Sequence, residues 1–166
     1  MAENKNSSAN HPTLADVAIG TTFGAGFWPW GPGTAGAAIG VLAWCCYAFL
    51  IESYSLVLCI TATLALGFTL LSISPINRLE KFWGEDPSRV VIDETVGVWL
   101  ALLAVPATKE WYYVVAAFVL FRIMDITKPL GCRWLDKNVH GGWGVMLDDI
   151  LAGVYAAFVL WAITLI

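Results

Sequence analysis

Charge is what this chain most lacks. Lys, Arg, Asp and Glu make up 13 % of its 166 residues, where a soluble domain carries about a quarter. Three runs have no charge at all: Thr34 to Ile51, Tyr54 to Ser74, and Ile150 to Ile166. Runs of that length place the chain among membrane proteins. A basic patch is also missing. The net charge of -4 gives no footprint for nucleic acid. The four cysteines form no CxxC pair, which argues against a zinc site of that kind. Cys45, Cys46 and Cys59 sit in apolar runs, where a thiol acts as a small hydrophobe. Cys132 has Asn138 six positions on, so the loop of cysteine-dependent phosphatases is absent. So are the aspartate-nucleophile signature DxDxT and a glycine-rich kinase loop. The first ten residues, MAENKNSSAN, lack the apolar core of a signal peptide; residues 1–12 read as a disordered polar tail, and 13–166 as one membrane-embedded domain.

What is present is an all-α pattern of about five apolar helices, a polytopic bundle preceded by a loop rich in glycine and proline. Thr13 or Asn10 suits the cap of a short surface helix. Gly20 to Thr34, GTTFGAGFWPWGPGT, is too broken to span. It reads either as an interfacial loop holding Trp28 and Trp30 among headgroups or as an anion cradle. In the second reading Thr34 caps the next helix, and the free N–H groups near Gly33 and Thr34 hold a phosphate. Gly36 and Gly40 give that helix a small face for close packing. Pro75 and Asn77 are expected to end the second helix. Asp86-Pro87 reads as the start of the third, putting Asp93 and Glu94 about two turns in. The fourth helix, Trp111 to Thr127, carries Arg122 and Asp125 on one face, and Lys128-Pro129 breaks it. His140 lies in a polar loop. The fifth helix is expected from about Leu147, with Asp148 and Asp149 at its mouth and Gly153 one turn beyond.

Lysine and arginine sort these loops. Arg78, Lys81, Arg89, Lys128, Arg133 and Lys137 fall on one side with Lys5, and Lys109 alone on the other. The positive-inside rule then puts the N-terminus in the cytoplasm and the C-terminus outside, with five spans. The same topology gathers Asp93, Glu94, Asp125, Asp148 and Asp149 at the cytoplasmic ends, beside Arg122, Lys128 and the glycine loop. Five carboxylates at one surface repel unless a cation joins them, and all-oxygen ligands favour magnesium or a similar hard cation. Arginine as a fork and lysine as a point charge suit a phosphate. Metal, phosphate and a carboxylate able to orient water together describe a phosphomonoester hydrolase, with Asp93, Asp148, Asp149, Arg122 and Lys128 as its catalytic set.

Four stretches carry a resemblance as well. GTTFGAGFWPWGPGTAG, DPSRVVIDETVG, FRIMDITKP and DKNVHGGWGVMLDDILAG are similar, in order, to the blocks of bacterial phosphatidylglycerophosphatase A. The resemblance implies magnesium-dependent removal of the terminal phosphate of phosphatidylglycerophosphate, giving phosphatidylglycerol, at the inner membrane. By motif position it points to Asp93, Glu94, Arg122, Asp125, Lys128, Asp148 and Asp149. Ala37 stands where the family has serine, and Leu130-Gly131 where it has a second proline. Two rivals remain. A CDP-alcohol phosphotransferase needs a DG followed closely by AR, and no such order exists here. A proton- or ion-coupled transporter would use intramembrane carboxylates, with internal repeats and midplane sites. The oligomeric state is left open.

Overall fold

A computed structural model describes residues 11–166, so the tail expected over 1–12 lies almost wholly outside the described residues. The described residues form an all-helical fold: α1 (Leu14–Gly20), α2 (Pro32–Ala48), α3 (Tyr54–Trp83), α4 (Ile92–Leu102), α5 (Trp111–Thr127), α6 (Cys132–Asn138) and α7 (Gly141–Ile163), with one 3-10 turn at Ala25–Phe27. Thr13 caps α1 in a capping box with Asp16. Ser53 caps α3.

Among the described residues two helices, α3 with 30 residues and α7 with 23, have the length and apolarity to cross a bilayer, fewer than the five expected from the sequence. The apolar α2 has 17 residues. The third expected helix proves to be half-length: α4 has 11 residues, about 16 Å at ~1.5 Å per residue, against a hydrocarbon core of ~30 Å. Its hydrophobicity serves burial inside the protein, since every α4 residue except Glu94 and Leu100 is buried. It packs against α2, α3, α5 and α7. Apolar side chains that face outward, among them Leu66, Leu70 and Leu71 on α3, Val115 and Val119 on α5, and Val154 and Phe158 on α7, form a coat that suits lipid better than water.

Glycine sets how closely the helices approach. A methyl group on Gly153 would enter the backbone of Gly97, and one on Gly97 would meet Phe121 and the carbonyl of Asp149. The α4–α7 crossing is thus a backbone-to-backbone contact. Gly36 and Gly40 present the small face expected of them, and α4 fills it: Thr95 Oγ1 donates to Gly36 O at 3.0 Å and Trp99 Nε1 to Gly40 O at 2.9 Å. At the far end Lys109 Nζ donates to the carbonyls of Ala48 and Ile51, meeting the negative end of α2.

Helix ends depart from the local signals in four places. Pro75 does not stop α3, which runs on to Trp83 with Ile76 and Leu79 fully buried; tertiary packing outweighs the cost of the proline. Asp86 is not an N-cap. It has a left-handed φ of 46°, and α4 starts six residues later, where Val91 N–H donates to Gly20 O at 2.8 Å. Asp93 and Glu94 therefore lie in the first turn of α4 rather than two turns in. Thr34 is not an N-cap either: Pro32 takes the first helical position and Gly31 the cap. Finally, α7 begins at Gly141 rather than near Leu147. Asn77 Oδ1, reaching from α3, accepts from Gly142 N–H at 2.7 Å and fixes that start. The polar loop before α7 contains the short helix α6.

Candidate active site

The N-terminal ends of α2, α4 and α7 and the C-terminal ends of α3 and α5 meet at one end of the bundle. They enclose a cavity of about 550 Å³. Gly33, Asp93, Glu94, Arg122, Asp125, Lys128, Asp148 and Asp149 all line it. Thr34 is exposed and does not. The wall also holds residues that the sequence did not single out as site residues: Asp136 on α6, Glu80 at the end of α3, and Glu85 and Asp86 in the loop before α4. Carboxylates outnumber basic side chains on it.

The acids divide into two kinds. Asp93, Glu94 and Asp149 can each offer an oxygen within 4.8 Å of the others. Among the described side-chain atoms, Asp93 Oδ1, Glu94 Oε2 and Asp149 Oδ2 are buried without a hydrogen-bond partner. Buried carboxylate oxygens left bare are costly, and three at one point could hold a metal ion between them. The donor set is all oxygen, anionic and inward-facing, which fits a hard divalent cation.

The other acids hold bases. Asp125 Oδ2 accepts from Arg122 Nη1 at 2.5 Å, and Glu94 Oε1 lies 3.9 Å from the same nitrogen. Nε of Arg122 is buried without a partner, so the guanidinium keeps a donor to spare. Lys128 Nζ donates to Asp148 Oδ2 at 2.7 Å and to Asp136 Oδ1 at 2.6 Å. Partial burial works against the Lys128 charge, but these two hydrogen bonds outweigh it and hold the ammonium above the ordinary lysine range. His140 Nδ1 sits 3.0 Å from Glu85 on the exposed rim, away from the three bare oxygens.

Sequence adjacency thus conceals a split. Asp148 and Asp149 project about 100° apart on a helix. Asp148 faces Lys128, while Asp149 faces Asp93 and Glu94 across the gap that Gly97 and Gly153 keep open. Gly33 completes the wall. A side chain there would run into the Glu94 carboxylate and crowd Arg122 Nη1, so the start of α2, which has no side-chain cap, lies directly against this pair.

The family model described as Phosphatidylglycerophosphatase A matches residues 18–164. The chain belongs to the phosphatidylglycerophosphatase A family. It is 41 % identical over 149 residues to a protein of Escherichia coli K12 named phosphatidylglycerophosphatase A, covering 89 % of this chain and 81 % of that one. A protein of the same name from Haemophilus influenzae is 45 % identical over 78 residues, 47 % of each chain. A protein of Bacteroides thetaiotaomicron named "Putative phosphatidylinositol-3-phosphatase" is 54 % identical over 153 residues, 92 % of this chain and 94 % of that one. No solved structure matches. The cavity brings Gly33 of the first sequence block together with Asp93 and Glu94 of the second, Arg122, Asp125 and Lys128 of the third, and Asp148 and Asp149 of the fourth.

Proposed function

We propose that this member of the phosphatidylglycerophosphatase A family removes the terminal phosphate of a phospholipid headgroup, with phosphatidylglycerophosphate as substrate and phosphatidylglycerol as product. The observation that carries the proposal is the pairing, in one cavity, of three bare buried carboxylates with two basic groups that retain donor capacity. Asp93, Glu94 and Asp149 would hold the cation, magnesium by the hardness of the ligand set. Bound there, it would neutralise the acids and polarise a phosphoryl oxygen.

The chain's own groups do the rest. Arg122, oriented by Asp125, forks onto the phosphate; Lys128, held by Asp148, adds a point charge. Free N–H groups at the start of α2 near Gly33 face the same space. Asp148 or Asp93 orients the attacking water. Water adds to phosphorus, the P–O ester bond breaks, and the leaving oxygen takes a proton to become the alcohol of the product lipid. Arg78, Lys81, Arg89, Arg133 and Lys137 flank the cavity end, whereas Lys109 lies at the other, an asymmetry that favours a cytoplasmic site in the inner membrane. Because α3 and α7 leave the cavity end and run toward the opposite one, a lipid headgroup can enter while its tails stay in the bilayer.

A second reading has its own observation. The Bacteroides thetaiotaomicron relative shares 54 % of residues, and its name points to an inositol phosphate headgroup. Both headgroups are polyols bearing a phosphate monoester. Purified protein in mixed micelles should be given phosphatidylglycerophosphate, phosphatidylinositol 3-phosphate and phosphatidic acid in turn, with magnesium or with EDTA, and released phosphate measured. The proposal expects phosphatidylglycerophosphate to be hydrolysed fastest and EDTA to abolish release. Faster hydrolysis of the inositol lipid would move the substrate to the second reading. No release from any lipid would sink the enzyme and return the carboxylates to a transporter. Full activity in EDTA would remove the cation.

A further inference from the structure

The fourth sequence block opens with Asp136, a residue that the reaction described so far does not use. The structure brings it to Lys128. Their contact, 2.6 Å, matches that of Lys128 with Asp148 at 2.7 Å, but the two acids come from different helices, α6 and α7. Asp148 is 9 % exposed in its side chain and Asp136 33 %, so the ammonium is held between an inner and an outer anchor.

The backbone marks the same lysine. Lys128 is the C-cap of α5 with φ 44° and ψ 64°, a left-handed position that glycine fills most readily. A β-carbon there costs energy, and the side chain it carries is directed straight into the cavity wall. Lysine's charge sits on a flexible four-carbon stem, and one carboxylate alone fixes its distance but not its direction. Two acceptors about the ammonium fix both and leave the third N–H free for another acceptor.

We propose that Asp136 is a positioning residue. Together with Asp148 it triangulates the Lys128 ammonium, so that the remaining N–H meets the phosphoryl oxygen of the substrate. This rests on the reading of Lys128 as a phosphate ligand. It also gives α6 a purpose: the short helix carries the outer anchor.

A double-mutant cycle tests it. Lys128→Ala, Asp136→Asn and the double variant are compared with the parent protein in two assays: turnover on phosphatidylglycerophosphate, and calorimetric binding of inorganic phosphate in detergent with magnesium, which needs no turnover. Asp136→Asn should lose about 10-fold in kcat/KM and in phosphate affinity, the scale of one charge-assisted hydrogen bond. In the Lys128→Ala background the same change should cost nothing further. Asp136→Ser repeats the cycle if the asparagine variant does not purify. Additive losses would show that Asp136 acts independently of Lys128 and would overturn the proposal, as would parent-like values for Asp136→Asn. If Lys128→Ala itself behaves like the parent, the phosphate role of Lys128 fails as well. A damaged Lys128→Ala beside a parent-like Asp136→Asn removes the inference about Asp136 alone.

Discussion

Asp16 and Asp149 are both buried aspartates, 2 % and 4 % exposed, yet their surroundings are opposite. Asp16 has a full set of partners. Its Oδ2 accepts from Thr13 N–H at 2.8 Å and Arg78 Nε at 3.0 Å, and its Oδ1 accepts from Arg78 Nη2 at 2.5 Å. The guanidinium fork fastens α1 to α3. Asp149 keeps Oδ2 bare, beside two other bare carboxylates. Burial of an acid therefore does not mark a site in this protein. The difference is whether the fold satisfies the acid: a satisfied carboxylate holds helices together, and an unsatisfied one is free to hold a ligand.

The largest effects should come from the unsatisfied set. Asp149→Asn and Asp93→Asn should each reduce turnover by at least ~10²-fold, the scale of losing one acid–base or electrostatic group. Removing a charge from that cluster relieves repulsion, so melting temperatures without added cation should hold or rise, and magnesium should no longer raise them. Kinetics and melting curves with and without magnesium check both halves. Active variants, or variants unfolded in either condition, would put Asp149 in the same class as Asp16.

Next come the bases. Arg122→Ala should cost ~10–100-fold in kcat/KM, the range for a lost charge-assisted contact. Arg122→Lys should recover little, because a point charge cannot reproduce a fork shared with Asp125. Substantial rescue by lysine would mean that only net charge matters at this position.

A smaller effect tests the gap across which Asp149 meets Glu94. Gly153→Ala would push a methyl group into the backbone of Gly97. Overpacking of this kind costs about 1–3 kcal/mol, so the melting temperature should fall. Activity should fall with it, since the same shift moves Asp149 relative to α4. An unchanged melting temperature would show that the α4–α7 crossing yields without strain.

Much of this arrangement was legible in the sequence, because charge in an apolar chain is conspicuous. Asp93, Glu94, Arg122, Asp125, Lys128, Asp148 and Asp149 stand out against uncharged runs, and all of them line the cavity. The helical class follows from those runs. Local rules failed where a distant partner decides. The start of α4 depends on Gly20, about seventy positions before it, and no signal near Asp86-Pro87 reports that. The start of α7 depends on Asn77 in another helix. The third expected helix, now α4, reads as a span in the sequence, because an apolar helix wrapped in protein and one wrapped in lipid have the same composition. Asp136 sat inside a quoted block, yet a lone acid in a polar loop gives no sign that it faces Lys128.

The smallest effect on activity belongs to Asp16, and its pH dependence separates it from the site. The Arg78 guanidinium beside it, opposed by burial and aided by Thr13, lowers the carboxyl from 3.8 to about 2. A group whose folded pKa is depressed stabilises the fold above its unfolded pKa, and that stabilisation fades as pH falls through the folded value. The contribution of Asp16 is therefore complete above about pH 4 and disappears toward pH 2. Asp16→Asn should melt lower than the parent at pH 7 and keep most of its turnover there, because neither Asp16 nor Arg78 lines the cavity. As pH falls from 4 toward 2 the two melting curves should converge, since the parent then loses the charge that the variant never had. A constant gap across that window would mean that the lost stability lies in the capping of α1 by Thr13 and not in the charge on Asp16. A loss of turnover as deep as that of Asp149→Asn would erase the distinction between satisfied and unsatisfied acids.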